Sequence, residues 1–179
     1  MTVIGFTGFA QSGKDTAAGF LIEQGFKRLA FADALRDSVY NLNPIVLSAG
    51  PHASIRVKNI VDTHGWDVAK VEYPEIRALL QRMGTEVGRE LFGESFWVDR
   101  VLKQITGMGN YVITDVRFPN EAAAIRSFGN VYRIVRPGTG AVNGHVSDTG
   151  IANLNVDGEI INDGDLEALK ESVLAVAFR

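Results

Sequence analysis

A short segment near the N-terminus has the residue types of a phosphate-binding loop. Its sequence is Gly8-Phe9-Ala10-Gln11-Ser12-Gly13-Lys14-Asp15-Thr16. Glycines let the backbone curl so that successive N–H groups face one anion, and the lysine adds a full positive charge. The segment therefore predicts a site for nucleotide phosphates, formed by Gly8, Ala10, Gln11, Ser12, Gly13, Lys14, Asp15 and Thr16.

The residue after the lysine departs from the usual form of such loops. Ser or Thr normally stands there and its hydroxyl binds Mg²⁺, whereas this chain has Asp15 and then Thr16. Either Asp15 reaches the metal, directly or through water, or Thr16 binds phosphate and the metal is held elsewhere. The alternative for the whole segment is a glycine turn with an exposed lysine, but its place between a predicted strand and a predicted helix favours phosphate binding.

A second candidate group follows another apolar run. Asp115 comes directly after Tyr111-Val112-Ile113-Thr114, and Arg117 lies two residues further on. Ligands of open α/β sheets bind at the carboxyl ends of the strands, where an aspartate can hold Mg²⁺ or its water shell. Arg117 would grip a phosphate through two N–H groups. The alternative is that Asp115 caps a turn and pairs with Arg117.

Four residues are candidates for holding a second, phosphorylated substrate. Asp33 and Arg36 are three residues apart at a predicted helix start, where Asp33 would cap the helix. Arg82 and Arg89 are seven residues apart, so they would share one face of an α-helix. The alternatives are a simple N-cap for Asp33 and solvated roles for the arginines.

Other residues have weaker signals. Phe96 and Trp97 would stack on a base or pack in the core. Arg133 and Arg136 flank the end of a predicted strand, and Arg136 would stabilise charge on a transferring phosphoryl group or be an ordinary loop residue. His145 is interpreted as a solvated loop residue.

Alternating apolar runs and helical periodicity predict the elements that position these side chains. Short strands separated by helices favour an α/β fold with a five-stranded parallel sheet. The predicted strands are 3–7, 26–31, 111–114, 131–135 and 159–161, and the predicted helices are 14–24, one from residue 34, 74–91, 98–105, 121–128 and 166–176. Residues 43–73 are predicted as loops with a short helix, and 136–155 as a loop or lid.

The composition is that of a globular protein. The chain has 179 residues, 46% hydrophobic and 22% charged, which fits one domain. A net charge of −3 argues against a general nucleic-acid binder, and the lack of cysteine excludes disulfides and thiolate metal sites. We expect no signal peptide and no membrane span, since no basic n-region or long apolar run is present.

In combination, five segments of the chain resemble the bacteriophage deoxynucleoside monophosphate kinases. They are the phosphate loop, Phe31-Ala32-Asp33-Ala34-Leu35-Arg36, Arg82-Met83-Gly84-Thr85-Glu86-Val87-Gly88-Arg89, Thr114-Asp115-Val116-Arg117-Phe118-Pro119-Asn120-Glu121, and Ile161-Asn162-Asp163-Gly164-Asp165-Leu166. The Lys-Asp-Thr form of the loop is itself typical of that family.

The resemblance implies a P-loop, nucleoside monophosphate kinase-like fold over residues 1–179, with an acceptor-binding segment at about 34–105 and a lid at about 136–155. It implies transfer of phosphate from ATP to a deoxynucleoside monophosphate with Mg²⁺. Asp15, Thr16 and Asp115 would serve the metal, with Lys14, Arg117 and Arg136 at the transferring group. Asp33, Arg36, Arg82, Arg89 and Trp97 would lie on the acceptor side. Asn162 would lie near adenine. A homodimer in the cytoplasm, that of the host if phage-encoded, is also expected.

Two alternatives stay open from the sequence. One is another small-molecule kinase of this fold, such as a dephospho-coenzyme A or phosphomevalonate kinase. The other is a nucleotide-binding module or slow ATPase switch, which would hydrolyse ATP without any acceptor.

Overall fold

A computed structural model of the protein describes residues 1–48, 54–140 and 146–178. Its central element is a five-stranded sheet in the order β2-β5-β1-β6-β7, in which all neighbouring strands are parallel. The predicted α/β fold with a five-stranded parallel sheet is thereby confirmed. The strands are β1 Val3–Thr7, β2 Lys27–Leu29, β3 Ile45–Ser48, β4 Ser54–Arg56, β5 Tyr111–Ile113, β6 Gly129–Val135 and β7 Gly158–Ile161.

Helices flank and connect these strands. They are α1 Lys14–Glu23, α2 Phe31–Leu42, α3 Val57–Glu72, α4 Pro74–Arg82, a π-helix at Met83–Leu91, α5 Phe96–Leu102, α6 Pro119–Arg126, α7 Val146–Asn153 and α8 Leu166–Ala177. None of the helices in the described part of the chain is both long and apolar enough to cross a lipid bilayer.

The chain divides into two compact units. The sheet unit comprises Met1–Phe31 and Val98–Arg179, and the helical unit comprises Ala32–Trp97. The sheet unit is therefore assembled from two separate stretches of sequence.

Two apolar clusters of the sheet unit cover both faces of its sheet, and the central strands β1 and β5 are buried along their whole length. These strands therefore read as continuous apolar runs. Because side chains alternate along a strand, Ile4 and Phe6 of β1 belong to the first cluster and Val3 belongs to the second. The first cluster also includes Leu21 of α1 and Leu169 of α8. This packing fixes the carboxyl end of β1, where the phosphate loop begins.

The helical unit has its own core and a two-stranded antiparallel hairpin of β3 and β4. The core is formed by Val39, Val57, Ile60, Ala69, Ile76 and Leu80. The prediction of loops with a short helix over 43–73 was wrong, because α3 has 16 residues. Gly65 interrupts that helix with φ 76° and ψ 165°, and this kink breaks the apolar periodicity that would have revealed it.

Two other predicted elements differ from the structure. The predicted helix 74–91 is α4 followed by the π-helix, whose residues carry a helical apolar pattern that does not distinguish the two windings. The predicted loop 136–155 contains α7, which is poor in strong helix formers but is anchored by the buried Ile151. Residues 141–145, including His145, lie outside the described residues.

Candidate active site

The phosphate loop connects β1 to α1, and its curvature depends on its glycines. Gly8 and Gly13 have φ values of 144° and 100°, in a region that residues with a Cβ rarely adopt. Space excludes a side chain as well. A Cβ on Gly8 would lie 2.5 Å from the Ile134 carbonyl oxygen, and one on Gly13 would lie 2.5 Å from Asn162 Nδ2.

Lys14 begins α1 and folds back over the loop. Its Nζ donates hydrogen bonds to the carbonyl oxygens of Gly8, at 2.8 Å, and Phe9, at 2.6 Å. The ammonium group is thus ordered against the loop backbone at the N-terminus of a helix, where the helix dipole also favours anions.

A cavity of about 370 Å³ lies over this helix N-terminus. It is lined by Gln11, Gly13, Lys14, Asp15, Thr16 and Arg136. Six of the predicted site residues are thus brought together, including Arg136 from the end of β6. Two of them, Lys14 and Arg136, are cationic, so the cavity suits a polyanion.

The residues present fit a nucleotide phosphate chain accompanied by a metal. Ser12 is 1% exposed, and within the described structure its Oγ has no hydrogen-bond partner, which leaves a polar group of the loop to be satisfied. Among residues 1–48, 54–140 and 146–178, no group of three or more His, Asp or Glu side chains could hold a metal ion. A metal at Asp15 and Thr16 would therefore need phosphate oxygens as further ligands.

Asn162 contacts the phosphate loop directly. Its Nδ2 donates a hydrogen bond to the Ser12 carbonyl oxygen at 2.9 Å. The resemblance placed this residue near adenine; that role stays a prediction, and the contact with the loop could not be read from the sequence.

The segment after β5 carries Asp115 and Arg117. Asp115 Oδ1 accepts a hydrogen bond from the backbone N–H of Phe31 at 2.8 Å, so Asp115 binds the first residue of α2. The prediction that Asp33 caps this helix was wrong, because α2 begins at Phe31 and Asp33 lies in its first turn. The apolar run had been assigned to β2, which ends earlier, at Leu29.

Glu121 is a buried carboxylate that was not predicted from the sequence as a site residue. It is 3% exposed, and its Oε2 accepts hydrogen bonds from the backbone N–H groups of Arg117, at 2.8 Å, and Phe118, at 3.1 Å. It fixes the backbone that presents the exposed Arg117. The available signal was a glutamate two residues after Pro119, a pattern typical of helix N-termini.

Arg133 has a structural environment different from that of Arg136. Its guanidinium group pairs with Glu159 at 2.6 Å. It also donates to the carbonyl oxygens of Ile151, Ala152 and Leu154 at the end of α7. Arg133 therefore caps the C-terminus of α7, where a cation is favourable.

The predicted acceptor-side residues all lie in the helical unit or at its boundary. Arg36 is close enough to Asp67 to help lower the pKa of that carboxyl, after the larger effects of the hydrogen bond and charge from Lys70. Arg82 pairs with Glu86 at 3.4 Å, and Arg89 donates to the Glu94 carbonyl oxygen at 3.5 Å. The inference that these two arginines share a face assumed α-helical winding, and it does not follow for a π-helix, which has more residues per turn.

Trp97 packs inside the helical unit. It is 4% exposed, its Nε1 donates to the Gly84 carbonyl oxygen at 2.9 Å, and its indole lies against Gly88. A buried ring whose N–H is hydrogen-bonded is typical of a tryptophan in the core. We therefore do not propose that Trp97 stacks on a base.

A sequence model of the deoxynucleotide monophosphate kinase family matches residues 48–173. The chain belongs to this family. The resemblance seen in the sequence is thereby confirmed.

Relatives of this deoxynucleotide monophosphate kinase family member occur in viruses. Over 135 residues it is 33% identical to the deoxynucleotide monophosphate kinase of Escherichia phage RB69, covering 71% of this chain and 51% of that protein. It is 33% identical over 100 residues to the enzyme of the same name in Enterobacteria phage T4, covering 52% and 42% respectively. A protein of Acanthamoeba polyphaga mimivirus is 27% identical over 192 residues, covering 98% of this chain and 95% of that protein. The chain thus spans about half the length of the two phage enzymes it matches.

The family member also shares its fold with a solved small-molecule kinase. Shikimate kinase from Aquifex aeolicus superposes with a TM-score of 0.52 at 12% identity, covering 98% of this chain and 95% of that one. This likeness shows the fold alone, and it confirms the predicted P-loop kinase fold.

Proposed function

We propose that the protein transfers the γ-phosphate of ATP to a deoxynucleoside monophosphate, giving ADP and a deoxynucleoside diphosphate. The observation that carries the proposal is the cavity over the N-terminus of α1, where Lys14 and Arg136 line the space beside the glycine loop. Membership of the deoxynucleotide monophosphate kinase family supports the choice of acceptor.

In the proposed reaction, an oxygen of the acceptor phosphate attacks the γ-phosphorus in line with the bond to the β,γ-bridging oxygen. That bond breaks as the new one forms, and ADP leaves, so no covalent enzyme intermediate is needed. The chain's task is to hold the two phosphate groups and neutralise their charge.

Lys14 and the loop N–H groups would bind the β- and γ-phosphates. The Nζ contacts with the Gly8 and Phe9 carbonyl oxygens would be exchanged for phosphate oxygens, which accept stronger, charge-assisted hydrogen bonds. Arg136 and Arg117 would stabilise the charge that spreads over the transferring group.

Mg²⁺ would be held by Asp15 or Thr16 together with phosphate oxygens, with Asp115 in its water shell, and when bound it would neutralise phosphate charge. Asp115 also binds the start of α2 through the Phe31 N–H. The same carboxylate would therefore serve the metal and hold the first residue of α2.

The acceptor would be bound by residues of the helical unit. We propose Asp33, Arg36, Arg82 and Arg89 for this role, within an acceptor-binding segment at about 34–105. Residues 136–155 would form the lid that excludes water, since hydrolysis of ATP is the obvious side reaction.

The test is ADP release measured with a panel of deoxynucleoside and ribonucleoside monophosphates in the presence of ATP and Mg²⁺. Turnover should rise with at least one deoxynucleoside monophosphate and fall by about a hundred-fold or more in Lys14→Ala. The control is Lys103→Ala, which removes an exposed lysine after α5. Unchanged turnover in Lys14→Ala would refute the role of that lysine.

The same assay separates the rival functions. ADP release that no acceptor raises would indicate an ATPase module. Stimulation by dephospho-coenzyme A or phosphomevalonate in place of a deoxynucleotide would indicate another kinase of this fold. Light scattering of the purified protein tests the expected homodimer.

A further inference from the structure

The position of Asn162 is fixed by the sheet. It follows β7 directly, and its backbone N–H donates to the Val135 carbonyl oxygen at 2.7 Å, which continues the β6–β7 pairing by one residue. This hydrogen bond fixes the backbone of Asn162 relative to β6, so its side chain starts from a defined position at the end of the sheet.

From this position the side chain reaches the phosphate loop, 150 residues earlier in the chain, and binds the Ser12 carbonyl oxygen at 2.9 Å. In a trans peptide the C=O and the following N–H point in opposite directions, and no cis peptide occurs in the described chain. Holding the Ser12 carbonyl toward Asn162 therefore turns the Gly13 N–H away from it. Gly13 lines the cavity, so this peptide is one of the donors available to an anion there.

The fit between the loop and the asparagine is close. Gly13 has a φ of 100°, and a Cβ at that position would meet Asn162 Nδ2 at 2.5 Å. The amide group thus occupies the space that the glycine leaves, which links the conformation of the loop to the residue after β7.

We infer that Asn162 is a positioning residue of the phosphate loop, and that it supports nucleotide binding through the phosphates rather than through adenine. The inference rests on the proposed binding of ATP and departs from the adenine-side role that the resemblance implies. Without this hydrogen bond the Ser12–Gly13 peptide would be less ordered in the free protein. The free-energy cost of ordering it on binding would then weaken the affinity for the ligand.

Inorganic tripolyphosphate separates the two roles, because it carries the phosphates of ATP without a base. Its affinity and that of ATP should be measured by calorimetry with Mg²⁺ for the wild type, Asn162→Ala and Asn162→Leu. The leucine variant keeps the number and branching of the side-chain heavy atoms but removes the donor. Asn130→Ala, an exposed asparagine of β6, is the matched control.

Both Asn162 variants should bind tripolyphosphate about tenfold more weakly, the loss expected for one backbone hydrogen bond that also orders a loop. ATP should weaken by a similar factor, and Asn130→Ala should leave both affinities unchanged. Thermal unfolding checks that the variants are folded, and if Asn162→Ala is not, the leucine variant decides.

Unchanged tripolyphosphate affinity in the folded variants overturns the inference, whatever happens to ATP, and a loss confined to ATP assigns Asn162 to adenine. A wild-type protein that binds neither ligand contradicts the proposed function itself. The two failures are therefore distinguishable.

Discussion

At the scale of single residues, the proposed nucleotide would meet a Lys14 side chain that is already ordered. The ammonium group has the Gly8 and Phe9 carbonyl oxygens as partners, so the proposed binding would exchange two neutral acceptors for charged ones. The rotamer freedom of a long side chain, which ligand binding usually reduces, is restricted here before the ligand arrives.

Asp157 gives a prediction about pH. Burial raises the pKa of its carboxyl, but the Val131 N–H and the Arg126 guanidinium outweigh this and hold the pKa below its usual range. A carboxyl whose folded pKa is lowered stabilises the fold above its unfolded pKa of about 3.9 and loses that contribution as pH falls through the folded value. Asp157→Asn should therefore lower the free energy of unfolding by about 1 kcal/mol at pH 7, a modest value because the pair is partly solvated.

The difference between wild type and Asp157→Asn should shrink as the pH falls below about 4, measured by urea unfolding across that range. Glu171→Gln, an exposed carboxylate of α8, is the control and should have little effect at any pH. A deficit that stays constant from neutral to acid pH would contradict the electrostatic explanation.

Residues whose chemistry is local were readable from the sequence. Glycine spacing predicts the curvature of the loop, and the positive φ values of Gly8 and Gly13 agree with it. Asn162 and Glu121 act on the backbone of other residues. The partner of Asn162 lies 150 residues away, and nothing in one sequence marks such a pair.

At the scale of elements, the start of β6 requires glycine. A Cβ on Gly129 would overlap sterically with the carbonyl oxygen of Val3, which is its partner residue in β1. Gly129→Ala should therefore destabilise the protein by about 3 kcal/mol, because backbone on both sides must move.

Gly19 of α1 is the matched control for that substitution. Nothing lies within 4 Å of a Cβ built there, so Gly19→Ala should stabilise the protein by about 0.5–1 kcal/mol through helix propensity. Thermal and urea unfolding measure both. Equal effects of the two substitutions would show that the contact with Val3 is not the cause.

Two glycines of the π-helix give a similar pair of alanine substitutions. A Cβ on Gly88 would overlap the Trp97 indole, whereas one on Gly84 would meet only Leu35 Cδ2 at 3.3 Å. Gly88→Ala should cost about 2 kcal/mol and Gly84→Ala clearly less, since a leucine methyl yields more easily than a buried ring. Circular dichroism melting and tryptophan fluorescence follow the two variants. A larger loss of stability in Gly84→Ala than in Gly88→Ala would contradict this explanation.

Elements with strong, uninterrupted patterns were predicted, and interrupted ones were not. The central strands β1 and β5 of the parallel sheet are fully buried and read as apolar runs. By contrast, α3 was not predicted, because the kink at Gly65 interrupts its apolar periodicity. Apolar spacing alone also did not separate the π-helix from α4. The helix α7 was missed because its stability comes from Ile151 and the Arg133 cap rather than from helix propensity.

At the scale of the whole molecule, ligand binding should be visible as stability. ATP with Mg²⁺ at a hundred times its Kd should raise the free energy of unfolding by about 2.7 kcal/mol. The rise should be absent in Lys14→Ala and small with adenosine, which has no phosphates. Equal stabilisation by adenosine and ATP would mean that the phosphate loop is not the main binding determinant.

The discontinuous build of the sheet unit has a consequence for sequence change. The chain leaves this unit after Phe31 and rejoins it at Val98, and neither point falls within a strand of the parallel sheet. Insertions or deletions between these two points leave the strand pairings of the five-stranded parallel sheet in register. Evolution can thus trim, extend or exchange the intervening stretch while the parallel sheet and the glycine loop after β1 are inherited intact.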